Sequence, residues 1–258
     1  MSRVALLLAL FACSHGAPAA PEPPPSEPLP WVIERGPGTF CASDLITAVA
    51  DDWSSTRVVI TRWHRHQKTD GRSSWPAGEW EAGDSFDGVI GDAGLAWGDG
   101  LHGQGAPSGH DGPVKREGDH KSPAGAFHIG TRFGFELYNG RMLKETTECV
   151  DDPASASYNK LVERTGSADW TSSEHMRSVP LYALGAVVDH NPKRVPGEGS
   201  CIFLHIWAGS DSTTVGCTAM PREQLDDLLH GLDSNAVLVQ LPKAEYEALA
   251  KPWGLPAL

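Results

Sequence analysis

The residues from 199 to 232 constrain this chain more than any other stretch: an alternating apolar run, a polar loop, a cysteine at a turn and then a helical pattern. Alternation predicts a strand over 201–207, with Ile202, Leu204 and Ile206 on one face and Cys201, Phe203, His205 and Trp207 on the other. The aliphatic face requires a core, so His205 is aimed away from it, toward a second layer or a cleft. Residues 208–214 are dominated by Gly, Ser, Asp and Thr, a loop composition. Val215-Gly216-Cys217-Thr218 then places a cysteine beside a glycine, and Pro221 stands where a helix can open. Leu225, Leu228, Leu229 and Leu232 give that helix one apolar stripe.

A strand histidine and a cysteine twelve positions later can meet when the loop folds back. Such a pair is the minimum for a thiol activated by an imidazole base. Singly, a buried Cys is usually a small inert hydrophobe and a strand His a hydrogen-bonded core residue. Together they are the catalytic candidates. Gly216 allows close approach of backbone and substrate, and the N–H groups of Gly216 and Cys217 can hold an oxyanion. Trp207 and Thr214, at the two ends of the loop, are candidate substrate contacts.

In the segments FLHIW, TTVGC and TAM the chain resembles the L,D-transpeptidase catalytic domain of the YkuD type. The resemblance carries the catalytic His onto His205, the nucleophile onto Cys217 and the glycine before it onto Gly216. Residues 115–130, 149–159 and 170–176 also look like a divergent branch of that family. Val215 stands where the family has a second His, and the Arg usually found shortly after the nucleophile is absent from Thr218-Ala219-Met220. The resemblance implies a mainly β fold with peripheral helices, a sandwich or barrel type of catalytic domain. It implies a cysteine acyltransferase acting on peptidoglycan stem peptides through a thioester on Cys217. The alternatives are a hydrolytic variant, an L,D-carboxypeptidase or endopeptidase, and a non-catalytic wall-binding lipoprotein.

Residues 1–12 read as an export signal, with Arg3 ahead of an apolar run too short to span a bilayer as a mature helix. Leu10-Phe11-Ala12-Cys13 resembles a bacterial lipobox, in which Cys13 would be lipidated and become the first mature residue. An ordinary signal peptide cut near residues 17–20 is the alternative. Ser14 after the Cys favours the outer membrane, by resemblance to Gram-negative lipoproteins. The expected location is therefore the periplasm, with the membrane engaged through Cys13. Residues 17–30 contain seven prolines in fourteen positions, an extended tether that follows the anchor within 13–30. Residues 31–258 show no second linker and are expected to form one catalytic domain, acting as a monomer.

A net charge of −12 argues against nucleic acid as a partner, and no basic cluster suggests otherwise. His64 and His66 have no HExxH or CxxC companion, so neither a metal nor another cofactor is expected. Five cysteines are present. Cys13 belongs to the anchor and Cys217 to the site, which leaves Cys41, Cys149 and Cys201. An odd number in an oxidising compartment leaves one over. Cys149 and Cys201 flank candidate site segments and are expected to pair, though Cys41 can pair with either. The thiol of Cys217 is expected to be eased toward thiolate by His205 or by the start of the following helix.

Elsewhere, 75–105 reads as short strands between turns, and Trp80 and Trp97 as packing residues, with sugar stacking as the alternative. A turn is expected over 122–125, a short helix over 158–164 and strands over 181–190 and 235–241, followed by a helix over 242–250. The long segment 143–176 is either a lid or wall beside the site or a stiffener tied down by Cys149. His190, at the end of its strand, is a candidate substrate contact or second base, though a hydrogen-bonded strand-end role suits it better.

Overall fold

A computed structural model describes residues 42–258, apart from 66, 70–73, 77, 78 and 137–139. The signal segment, Cys13, the tether and Cys41 lie outside the described residues. The architecture is mainly β, with a closed, barrel-like sheet. Its strands are β1 (Asp44–Ala50), β2 (Arg57–His64), β3 (Glu81–Val89), β4 (Ser122–Gly134), β5 (Leu184–Val188), β6 (Phe203–Ile206), β7 (Thr218–Met220) and β8 (Val237–Pro242). They run in the order β4-β5-β6-β7-β3-β2-β1-β8, and β8 pairs back onto β4.

Closure comes from β4, whose 13 residues change partner along their length. Its first half pairs antiparallel with β8, as in Leu238 opposite Phe127, and its second half pairs antiparallel with β5, as in Gly185 opposite Phe133. A bulge between Ala186 and Val188 takes up the change of direction. The turn expected over 122–125 is instead the start of this strand, because Ser122–Ala124 pair in parallel with the short strand Leu95–Trp97.

Alternation along β6 divides its side chains as the pattern demands. Ile202 and Leu204 enter the main core with Ile60, Ile90, Trp97, Phe127 and Val239, and Ile206 packs against that core. Cys201 and Phe203 enter a second cluster with Phe133, Leu143, Cys149, Met176, Tyr182 and Cys217. Helix α1 (Arg222–Gly231) begins after Pro221 and buries Leu225, Leu228 and Leu229. Each such leucine contributes about 1.5–3 kcal/mol relative to exposure. Helix α2 (Lys243–Trp253) buries Tyr246, Leu249 and Trp253 and ends at Gly254, whose left-handed backbone returns its N–H to the carbonyls of Ala250 and Lys251. No helix among the described residues is long and apolar enough to cross a membrane.

A second, three-stranded sheet is formed by Thr147–Val150, Lys160–Glu163 and Glu174–His175. The helix expected over 158–164 is therefore largely a strand. Seven residues are too few to hold a helix without tertiary support, whereas pairing Leu161 with Cys149 and Val162 with Glu148 satisfies the backbone directly. The sheet is fastened to the barrel by the disulfide between Cys149 and Cys201.

Candidate active site

Strands β6 and β7 run parallel, with His205 opposite Ala219 and Leu204 opposite Thr218. The loop between them is anchored at Thr214, whose N–H donates to Ile90 O at 2.9 Å and whose carbonyl accepts from Asp92 N at 2.9 Å. Two hydroxyls then fix the backbone of Cys217: Thr214 Oγ1 donates to its carbonyl at 2.7 Å and Ser122 Oγ donates to it at 2.9 Å. Gly216 adopts φ +145°, and a Cβ there would come within 3.2 Å of Lys121 O. A side chain at 216 would strain the turn that delivers the cysteine.

Cys217 is only 5% exposed and is the one free cysteine among the described residues. Its Sγ accepts the N–H of Phe203 at 3.3 Å and donates to Cys201 O at 3.6 Å. Burial pushes its thiol far above the ordinary range, and the nearby Glu174 carboxylate pushes the same way. The Phe203 N–H and the charge of Lys115 offset this only in part. The resting cysteine is thus a neutral thiol, contrary to the expected easing toward thiolate. The physical reason is placement: Cys217 lies in an apolar cluster, and a strand separates it from the start of α1.

His205 is also 5% exposed. Its Nδ1 lies 2.7 Å from Ile206 O, and a carbonyl can only accept, so Nδ1 carries the proton. Nε2 therefore keeps its lone pair, with no hydrogen bond from the described residues. Burial holds this imidazole below its ordinary pKa, with the Ile206 bond acting in the opposite sense. The imidazole is thus neutral, as is the thiol held by the Phe203 N–H two residues earlier on the same strand. Because residues two apart share a face, Phe203 and His205 project to the same side of β6, and Phe203 is the residue bonded to Cys217 Sγ.

The other sequence candidates divide. Thr214 is in the site, but its hydroxyl accepts the Gly216 N–H at 3.1 Å. That N–H is engaged, which corrects the expectation that Gly216 and Cys217 form the oxyanion donors together. The Cys217 N–H remains of that pair. Trp207 is partly buried at the end of β6, its N–H donating to Met220 O at 2.9 Å. His190 is not in the site. It is buried against Phe127, with Nδ1 accepting from Asp99 N at 3.3 Å and Nε2 donating to Glu198 O at 2.9 Å. Both ring nitrogens are used by backbone, so it is neither a substrate contact nor a base.

Two residues that sequence reasoning left without a role are brought to the site. Tyr182, from the 3₁₀ turn Pro180–Ala183, presents its ring edge-on to His205 at 5.2 Å and to Phe203 at 5.4 Å. Its hydroxyl donates to Glu174 Oε2 at 2.6 Å. Nothing in the spacing of Glu174, Tyr182 and His205 signals their meeting, since the small sheet brings it about. An open groove of about 590 Å³, lined by His128, Arg132, Asp189 and Asp233 among others, contains neither Cys217 nor His205.

No family model matches the sequence, and no curated protein or solved structure matches it either.

Proposed function

We propose that the protein is a cysteine-dependent acyltransferase acting on peptidoglycan stem peptides, an L,D-transpeptidase. One observation carries the reading: Cys217, directly before β7, has its Sγ held by the N–H of Phe203, two residues before His205 on the parallel-paired β6, and the His205 lone pair on Nε2 makes no hydrogen bond to the described residues. In the proposed reaction Cys217 Sγ attacks a substrate carbonyl carbon while its proton passes to His205 Nε2. The oxyanion is held by the Cys217 N–H. As the C–N bond breaks, His205 returns the proton to the departing amine and a thioester remains. A second amine then attacks the thioester, giving a cross-link or a protein attachment and regenerating the thiol. Water in its place gives the hydrolytic variant. The proposed setting is the periplasm, with the chain anchored to the outer membrane through a lipid on Cys13.

A second reading, a non-catalytic wall-binding lipoprotein, is favoured by the buried, protonated state of the Cys217 thiol and by Val215 in place of a second His. Incubating the protein with purified muropeptides and reading the products by mass tests the proposal. Cross-linked or trimmed stems that vanish in Cys217→Ala support it, and a carbapenem adduct on Cys217 is expected by intact mass. Unchanged muropeptides together with no adduct overturn it in favour of the binding reading.

A further inference from the structure

Glu174 occupies a position no motif accounts for. It hangs from the short strand Glu174–His175 of the small sheet, and the Tyr182 hydroxyl holds its Oε2. The same Tyr182 ring packs on His205 and on Phe203, and the Phe203 N–H holds Cys217 Sγ. One aromatic ring thus ties a carboxylate to His205 and, through Phe203, to the strand whose backbone holds the Cys217 sulfur. Among the described residues, Tyr182 makes the one hydrogen bond to this carboxylate, and no Lys, Arg or His pairs with it.

The charges around it make that lack of a counter-ion costly. Burial above all, and then the charges of Asp151 and Glu117, push the Glu174 carboxyl up, while the bond from Tyr182 pulls it down toward the ionised form. Glu117 is satisfied by the hydroxyls of Tyr158 and Ser200. Asp151 Oδ1 is shut off from solvent, with no hydrogen-bond partner among the described residues. Lys115, the cation acting on Cys217, is committed to Asp119 and to the carbonyl of Arg116. A partly buried carboxylate without a cation is an expensive arrangement, relieved when a ligand brings one.

We infer that Glu174 is a specificity-determining residue: its carboxylate, held by the hydroxyl of the Tyr182 whose ring packs on His205, receives a positively charged primary amine of the substrate. The inference rests on the proposed role of Cys217 as nucleophile. It has a consequence for catalysis. Glu174 is one of the two influences that keep the thiol protonated, so neutralising it with a substrate ammonium eases proton transfer from Cys217 to His205. The site is then quiet when empty and is activated by the ligand it selects. Substrates carrying an anion at this place are repelled.

The test labels the full chain with three methanethiosulfonates of similar size, bearing a trimethylammonium, a neutral or a sulfonate group. Labelling is read by mass at the peptide containing Cys217. The ammonium reagent is expected to react at least about tenfold faster than the sulfonate. Glu174→Gln is expected to bring that ratio within about threefold, while Glu174→Asp keeps most of it. Glu174→Gln should also speed the neutral reagent and move its pH profile downward, because a charge opposing thiolate formation has gone. A merely structural role would lift all three rates together and leave their ratio unchanged, which overturns the inference. Equal ammonium and sulfonate rates in the unsubstituted protein overturn it too, with no dependence on whether a variant folds, and leave Cys217 as nucleophile. Resistance of Cys217 to all three reagents overturns the proposed function as well.

Discussion

The backbone N–H of Phe203 donates to Cys217 Sγ at 3.3 Å, so the sulfur of the proposed nucleophile is held by the strand that carries the proposed base. The bond fixes the sulfur relative to His205, two residues along the same face. Among the described residues it also supplies the one hydrogen bond donated to a sulfur whose burial disfavours charge.

Cys217→Ala is expected to abolish turnover of stem peptides while the fold survives. The removed atom leaves a small gap in the cluster around Phe203 and Tyr182, so the loss should be about 1 kcal/mol. In a domain of this size that lowers the melting midpoint by about 2–4 °C. Retained turnover would remove Cys217 as nucleophile.

His205→Ala should reduce turnover by about a hundred- to ten-thousand-fold, and it should also lower the melting midpoint, because it empties space against Tyr182 and removes the donor to Ile206 O. His205→Gln should do no better, since an amide cannot carry the proton. His190→Ala should separate the two properties: the melting midpoint drops, because the Asp99 and Glu198 backbones lose their bonds, but the surviving folded enzyme keeps its turnover and pH profile. A variant of His190 that melts normally and is inactive would reverse the assignment.

Stability should fall between about pH 6.5 and pH 4. Burial holds His102 and His190 down at about 4, whereas the unfolded chain takes up these protons near 6.5. The unfolded state therefore binds more protons across this window, and stability is present above it and lost as the pH falls. Two histidines give a slope approaching about 2.7 kcal/mol per pH unit. Denaturant titrations at half-unit steps measure it, and a flat profile from 6.5 to 4 would show that neither imidazole is buried neutral. Below this window Glu163 adds a further loss. Its own burial raises it, but bonds from Arg141, Thr146 and Thr147 prevail and hold it at about 2.

Replacing both Cys149 and Cys201 by Ser should destabilise the protein by about 4 kcal/mol on the chain-entropy account, the two being 52 residues apart. Turnover should also drop, because the bridge fastens the sheet that carries Glu174, and the Cys201 carbonyl accepts the Cys217 S–H. Activity and guanidinium midpoints measured on the same variant separate the two effects, and full activity at normal stability would count against both.

What the sequence determined by itself is local and periodic. The two-residue repeat from 201 to 207 placed Ile202 and Leu204 in one core and Cys201 and Phe203 in another, and the leucine stripe after Pro221 became the buried face of α1. The loop and turn that present Cys217 were legible for the same reason, since Gly216 and Thr214 act on their immediate neighbours. The tertiary structure decided whatever depends on a partner distant in the chain. Strand β4 closes the barrel by pairing with two strands, and 160–163 became a strand because 147–150 lay beside it. His190 was taken out of the site by the Asp99 and Glu198 backbones, and Tyr182 and Glu174 were brought in by the small sheet. The protonation of Cys217 belongs to this second group. Residue type sets what a thiol can do, but solvent exclusion and a carboxylate 43 positions away in sequence set what this one does at rest.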